Sequence, residues 1–126
     1  MQARLEHANI TVSDARATAK VLEDVFGWHI RWEGAAMNAG YTIHIGDESS
    51  YLALYAPAID LNAPAPRYVT AGSLAHIGIV VDDIDATEAC VKEAGFTPVN
   101  HADYEPGKRF YFLGPDQVEY EVVSYS

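Results

Sequence analysis

One cysteine, two methionines and only eight lysines plus arginines stand in this chain of 126 residues, against eighteen carboxylates. Cys90 alone excludes an internal disulfide and suits a reducing compartment, so the expected location is cytoplasmic. A formal net charge of −10 gives no basic face for a polyanion, and nucleic acid is excluded as a partner. No apolar run reaches the roughly 20 residues of a membrane span, and the charged N-terminus passes straight into strand pattern. Neither a membrane segment nor a leader is expected. What is present is ordinary globular usage, 49% apolar and 21% charged, which supports one sizeable core.

The chain repeats itself. Leu5-Glu6-His7-Ala8-Asn9-Ile10-Thr11-Val12 overlies Leu74-Ala75-His76-Ile77-Gly78-Ile79-Val80-Val81, with identity at Leu5/Leu74, His7/His76, Ile10/Ile79 and Val12/Val81. Asp14/Asp83, Ala17/Ala86 and Thr18/Thr87 continue the match, and Gly27/Gly95 and Gly46/Gly114 follow after one gap. The repeat predicts a tandem duplication of a unit of roughly 55 residues, each copy carrying a histidine at the same place in its first strand.

Each copy reads as strand, helix and three strands. Residues 5–12 alternate, Ser13-Asp14 offers a helix cap, and Val21, Leu22, Val25 and Phe26 follow at helical spacing up to the Gly27 stop. Strand character returns near 28–34, 40–46 and 50–56. The second copy gives a strand at 74–81, a cap at Asp82-Asp83, a helix to Ala94, a stop at Gly95, and strands near 96–100, 108–113 and 118–124. Pro57, Pro64 and Pro66 mark 57–73 as a linker between modules 1–56 and 74–126, which together form one structural domain. The expected class is α+β: tandem βαβββ modules forming a half-barrel-like mixed sheet, helices on one side and a concave ligand face on the other.

Parity selects the side chains for that face. Val118, Tyr120 and Val122 share the helix side, leaving Glu119, Glu121 and Val123 opposite. A hairpin centred on Asp116 sets Tyr111 across from Glu121; the equivalent pair in the first copy is Ile43 and Ala53, with His44 directed away. His7, His76 and Glu121 therefore form one candidate metal site with Tyr111 beside it. Two imidazoles and a carboxylate suit Fe, Mn, Zn or Ni and leave coordination positions open. Tyr51, Ala53, Tyr55 and Arg109 are the expected pocket lining, Arg109 as an anchor for a substrate carboxylate. Trp28 and Trp32 read as packing residues and Cys90 as a small core hydrophobe.

This duplicated βαβββ pattern resembles the vicinal oxygen chelate superfamily of glyoxalases, bleomycin resistance proteins and extradiol dioxygenases, over nearly the whole chain. The resemblance implies metal ligands in the first and last strands of each module, which fall here on His7, Ala53, His76 and Glu121. Ala53 is no ligand, so the four-ligand glyoxalase and epimerase chemistries rank third. Extradiol dioxygenases use two histidines and a glutamate, with a tyrosine ten residues before the glutamate, a spacing that Tyr111 and Glu121 reproduce. Their catalytic histidine lies nine residues before that tyrosine, and His101 lies ten before Tyr111. The resemblance thus implies Tyr111 and His101 as catalytic groups, Fe(II) as the preferred metal, and a small substrate that chelates it through adjacent oxygens. Phe110-Tyr111-Phe112-Leu113 with Pro115-Asp116 also resembles fosfomycin-resistance transferases, but Glu105-Pro106-Gly107 is not their potassium loop. The alternative is a drug-binding protein without turnover, as in bleomycin resistance, which a net charge of −10 would suit. A homodimer is expected in either case.

Overall fold

Asp14 and Asp83 do the same work in the two copies. In the computed structural model, which describes residues 2–126, each aspartate follows the end of a strand by three residues and caps a helix. Asp14 accepts a hydrogen bond from the Ala17 amide and Asp83 from the Ala86 amide, each at 3.0 Å. Each bond satisfies one of the amides that the first helical turn leaves without a partner. The chain divides into two compact units, residues 1–62 and 63–126.

In the first unit the elements run β1 (His7–Thr11), α1 (Ala15–Phe26), β2 (His29–Ala36), β3 (Gly40–Gly46) and β4 (Tyr51–Ala56). The sheet order is β1-β4-β3-β2, with β1 parallel to β4 and the other pairs antiparallel. Ala15, Thr18, Ala19, Leu22 and Val25 form one buried stripe along α1, which packs on β3 and β4. They meet Ile43, Ile45, Leu52 and Leu54, and Leu22, Ile43, Ile45 and Leu54 are fully buried. Each such side chain stabilises the unit by roughly 1.5–3 kcal/mol. Gly27 ends α1 at φ 68°, a conformation that costs an L-residue with a Cβ but not glycine.

The second unit repeats the plan with β5 (Ile77–Val80), α2 (Ile84–Glu93), β6 (Val99–Tyr104), β7 (Gly107–Leu113) and β8 (Glu119–Ser124), in the order β5-β8-β7-β6. Its core is aromatic. Phe112 stacks on Tyr120 with ring centroids 5.1 Å apart, and Phe96 lies 6.2 Å from Phe112. The linker expected at 57–73 carries no helix or strand. No helix among the described residues is long and apolar enough to cross a membrane.

Two expectations need correction. The strand placed at 96–100 begins only at Val99, because Phe96 belongs to the end of α2: its amide donates to the Val91 carbonyl at 3.1 Å while its half-buried ring packs against Phe112. The pair Ile43–Ala53 is also out of register by one. Ala53 stands across from His44, and Ile43 from Leu54. The hairpins differ in length: residues 47–50 join β3 to β4, whereas 114–118 join β7 to β8. A loop shorter by one residue changes every cross-strand partner, and the aligned pair Gly46/Gly114 conceals that change.

Candidate metal centre

Glu121 holds the centre of the open face of the second unit. Tyr120 and Val122, its neighbours on β8, are buried toward α2, so alternation turns Glu121 to the opposite side. Across the antiparallel ladder stands Tyr111, and across the parallel one Gly78. The two carboxylate oxygens have different surroundings. Oε2 accepts from Arg109 Nη1 and from the Tyr111 hydroxyl, each at 3.0 Å. Oε1 lies 3.3 Å from Nε2 of His76, the residue just before β5. Arg109 and Tyr111 thus hold one oxygen and turn the other toward the imidazole.

That geometry suits a metal ion. Donors at about 2.0–2.2 Å from one ion, separated by angles from square to tetrahedral, stand roughly 3.0–3.5 Å apart. A separation of 3.3 Å falls within that range. The supporting hydrogen bonds on Oε2 are also of the kind that orients a ligating carboxylate. His76 and Glu121 are partly open to solvent, at 32% and 14% side-chain exposure. Among the described residues, no group of three His, Cys, Asp or Glu side chains forms a complete metal site.

The other nitrogen of His76 is also engaged. Tyr68, in the turn that precedes β5, has φ +66°, an unusual backbone for a bulky residue. Its hydroxyl donates to Glu119 Oε1 and lies 3.1 Å from His76 Nδ1. The bond to Glu119 pushes the Tyr68 phenol up to about 12. The Tyr111 ring meets His76 edge-on at 5.7 Å. Burial, reinforced by the bond to Glu121, raises the Tyr111 phenol above its usual value, so it remains a proton donor at neutral pH. Arg109 is occupied by Glu121 and lies over the Tyr104 ring at 5.3 Å, so it anchors a carboxylate of the protein itself.

The first unit presents a different open face. His7 Nδ1 is 2.8 Å from Glu6 Oε1, and the His7 ring stacks on Tyr51 at 4.9 Å. Tyr51 stacks in turn on His44 at 4.7 Å and carries the Arg31 guanidinium 4.6 Å from its ring centroid. Trp32, expected to pack, is 53% exposed and tilts against His44 at 5.1 Å. Ala53 lies across from both Asn9 and His44, as Glu121 lies across from Gly78 and Tyr111. Its equivalence to Glu121 therefore survives the register correction. The Tyr55 hydroxyl accepts from Asn38 Nδ2 at 2.9 Å and donates to the Met37 carbonyl at 3.1 Å, which ties it to the β2–β3 turn.

His101 is not brought to Tyr111. Its Nε2 lies 3.1 Å from Glu88 on α2, and its ring stacks on Phe110 at 5.7 Å. Phe110 is a core residue on the helix side, so His101 is on the face opposite Tyr111. It lines a cleft of about 320 Å³ with Glu88, Asp103 and Lys108. The cause is the irregular register between Val99 and Ala102, with Asn100 at φ 56°, which breaks the alternation that counting along β6 assumes. Sequence reasoning missed Tyr68, because the linker has no periodicity, and His44, because of the hairpin length.

A family model described as the Glyoxalase/Bleomycin resistance protein/Dioxygenase superfamily matches residues 4–122. No curated protein matches the chain. Among solved structures, the glyoxylase/bleomycin resistance protein/dioxygenase domain from Frankia sp. EAN1pec has a TM-score of 0.84 at 16% identity, covering 98% of this chain and 93% of its own. The fosfomycin resistance protein FosX from Mesorhizobium loti has a TM-score of 0.73 at 20% identity, covering 98% of this chain and 92% of its own. FosX from Listeria monocytogenes, solved with Mn(II) and sulfate, has a TM-score of 0.76 at 15% identity, covering all of this chain and 95% of its own. At these identities the structures establish the fold, and the family match spans nearly the whole sequence. The chain belongs to the Glyoxalase/Bleomycin resistance protein/Dioxygenase superfamily.

Proposed function

We propose that the chain is a divalent-metal enzyme acting on a small substrate that chelates the ion through adjacent oxygens. His76 and Glu121 would hold the ion; the sequence repeat and the family resemblance add His7 as a further candidate donor, which His7→Ala tests in the same titration. One observation carries the reading: Glu121 Oε2 is fixed by Arg109 and Tyr111 while Oε1 stands 3.3 Å from His76 Nε2. The bound ion would supply Lewis acidity and a template for two substrate oxygens. The Mn(II) in Listeria monocytogenes FosX supports a divalent ion in this fold, and two histidines with one carboxylate also suit Fe(II). Tyr111, kept protonated by burial and Glu121, would donate a hydrogen bond or a proton to a substrate oxygen.

Extradiol opening of a catechol is the first reaction to test. His101, on the helix face, is not part of it; the phenols of Tyr111 and Tyr68 are the proton-carrying groups beside His76. A second reading, drug binding without turnover, draws on the first unit, where Tyr51 stacks with both His7 and His44 and carries Arg31. The protein is also proposed to form a homodimer, since Val80 and Val99 lie on edge strands β5 and β6 with 64% and 41% exposure.

Titration with Mn(II), Fe(II) and Zn(II) decides between these readings. Wild type should bind one ion per chain, with His76→Ala and Glu121→Ala each weaker by two orders of magnitude or so, because few protein ligands leave little redundancy. Catechol turnover with Fe(II) then separates enzyme from binder. Unchanged metal binding in both variants would overturn the site.

A further inference from the structure

Both repeat histidines have Nδ1 engaged and Nε2 left for another partner, by different means. In the first unit Glu6 reaches Nδ1 of His7 directly, at 2.8 Å. In the second, Ala75 stands where Glu6 stands in the repeat, and no carboxylate is available from that position. Tyr68 fills the gap: its hydroxyl lies 3.1 Å from His76 Nδ1 and donates its own proton to Glu119. Direct contact between Glu119 Oε1 and Nδ1, at 3.7 Å, is too long for a hydrogen bond.

The direction of the chain of bonds follows from proton counting. A phenol has one proton, and Tyr68 commits it to the Glu119 carboxylate, the stronger acceptor. Only its lone pairs then face His76, so Nδ1 must be the donor. An imidazole that donates from Nδ1 keeps the Nε2 lone pair for a metal, and Nε2 is the nitrogen that faces Glu121 Oε1. The left-handed backbone at Tyr68 fits this role, since a bulky residue persists at φ +66° only where other contacts hold it there.

We propose that Tyr68 is a positioning residue for His76, accepting the Nδ1 proton while Glu119 holds its hydroxyl, so that Nε2 is the nitrogen offered to the ion. The inference rests on the metal reading above and adds a tautomer, an orientation and two residues to it. Glu119 belongs to this device as the acceptor of the Tyr68 hydroxyl proton.

The test uses the full chain and Zn(II), which is diamagnetic, with Tyr68→Phe and Glu119→Gln. Tyr68→Phe keeps the ring and removes only the hydroxyl. Long-range ¹H–¹⁵N spectra resolve the ring nitrogens of each histidine. The Nδ1 resonance of His76 should move in metal-free Tyr68→Phe, while those of His7 and His44 stay in place. With Zn(II) bound, the His76 Nδ1 proton should exchange slowly in wild type and rapidly in the variant. Zn(II) affinity should fall about 10-fold or more in Tyr68→Phe, and by a similar factor in Glu119→Gln. An unmoved Nδ1 resonance, or unchanged Zn(II) affinity in a variant whose backbone spectrum shows the native fold, overturns the inference. The two failures are distinguishable: if His76→Ala itself binds Zn(II) as wild type does, the metal reading has failed; if His76→Ala abolishes binding and Tyr68→Phe does not, only the positioning role has.

Discussion

His44 occupies in the first unit the place that Tyr111 occupies in the second, and it titrates differently from a free histidine. Burial lowers its pKa, and the nearby His7 and Arg31 add to the effect. With the folded value below 6.5, the unfolded chain binds the proton first as pH falls, so stability declines across the interval between the two values and is greater above it. Urea midpoints measured from neutral pH downward should therefore drop less in His44→Gln than in wild type. Equal slopes would show that His44 is as readily protonated in the fold as out of it. Among individual residues, those whose position depends on alternation within a regular strand, such as Glu121 and Tyr111, were legible in the sequence. His44 and His101 were not: the partner of one is set by a hairpin of different length and the other lies within a bulge, and neither the missing loop residue nor the bulge has a signature in residue type.

Elements were more legible than positions. Both helices, their aspartate caps and seven of the eight strands fall within a few residues of the sequence reading, because apolar spacing and Gly27 mark them. The exception, β6, follows a helix end in which Phe96 packs against the core residue Phe112, and a strand-like residue type there signalled that contact instead. The caps lend themselves to measurement. Asp83→Ala removes the acceptor for the Ala86 amide and should cost about 0.5–2 kcal/mol in urea or thermal unfolding. Leu22→Ala, which empties a fully buried site on α1, should cost roughly 2–5 kcal/mol. If the cap variant proved the more damaging of the two, α1 packing would contribute less than its burial implies.

At the scale of the whole molecule, the duplication was the most legible property, because paired residues at a fixed offset are visible in the chain itself, and the family resemblance rests on them. Subunit number is a different matter, since it depends on surfaces for which the sequence has no periodic signal. Light scattering at micromolar concentration should give twice 13.8 kDa, and a value of 13.8 kDa would remove the dimer. With a net charge of −10, two copies of the chain would repel one another, so added salt should favour association by screening.

Ala53 gives the duplication a history. It stands on β4 where Glu121 stands on β8, on a face that already presents a histidine with Nδ1 engaged. Ala53→Glu would give the first unit an imidazole and a carboxylate of its own, and Mn(II) titration should show tighter or additional binding. One base change turns an alanine codon that ends in a purine into a glutamate codon. Twin copies that began alike can thus drift apart and back again by single mutations, with the unaltered half keeping the gene useful in the meantime.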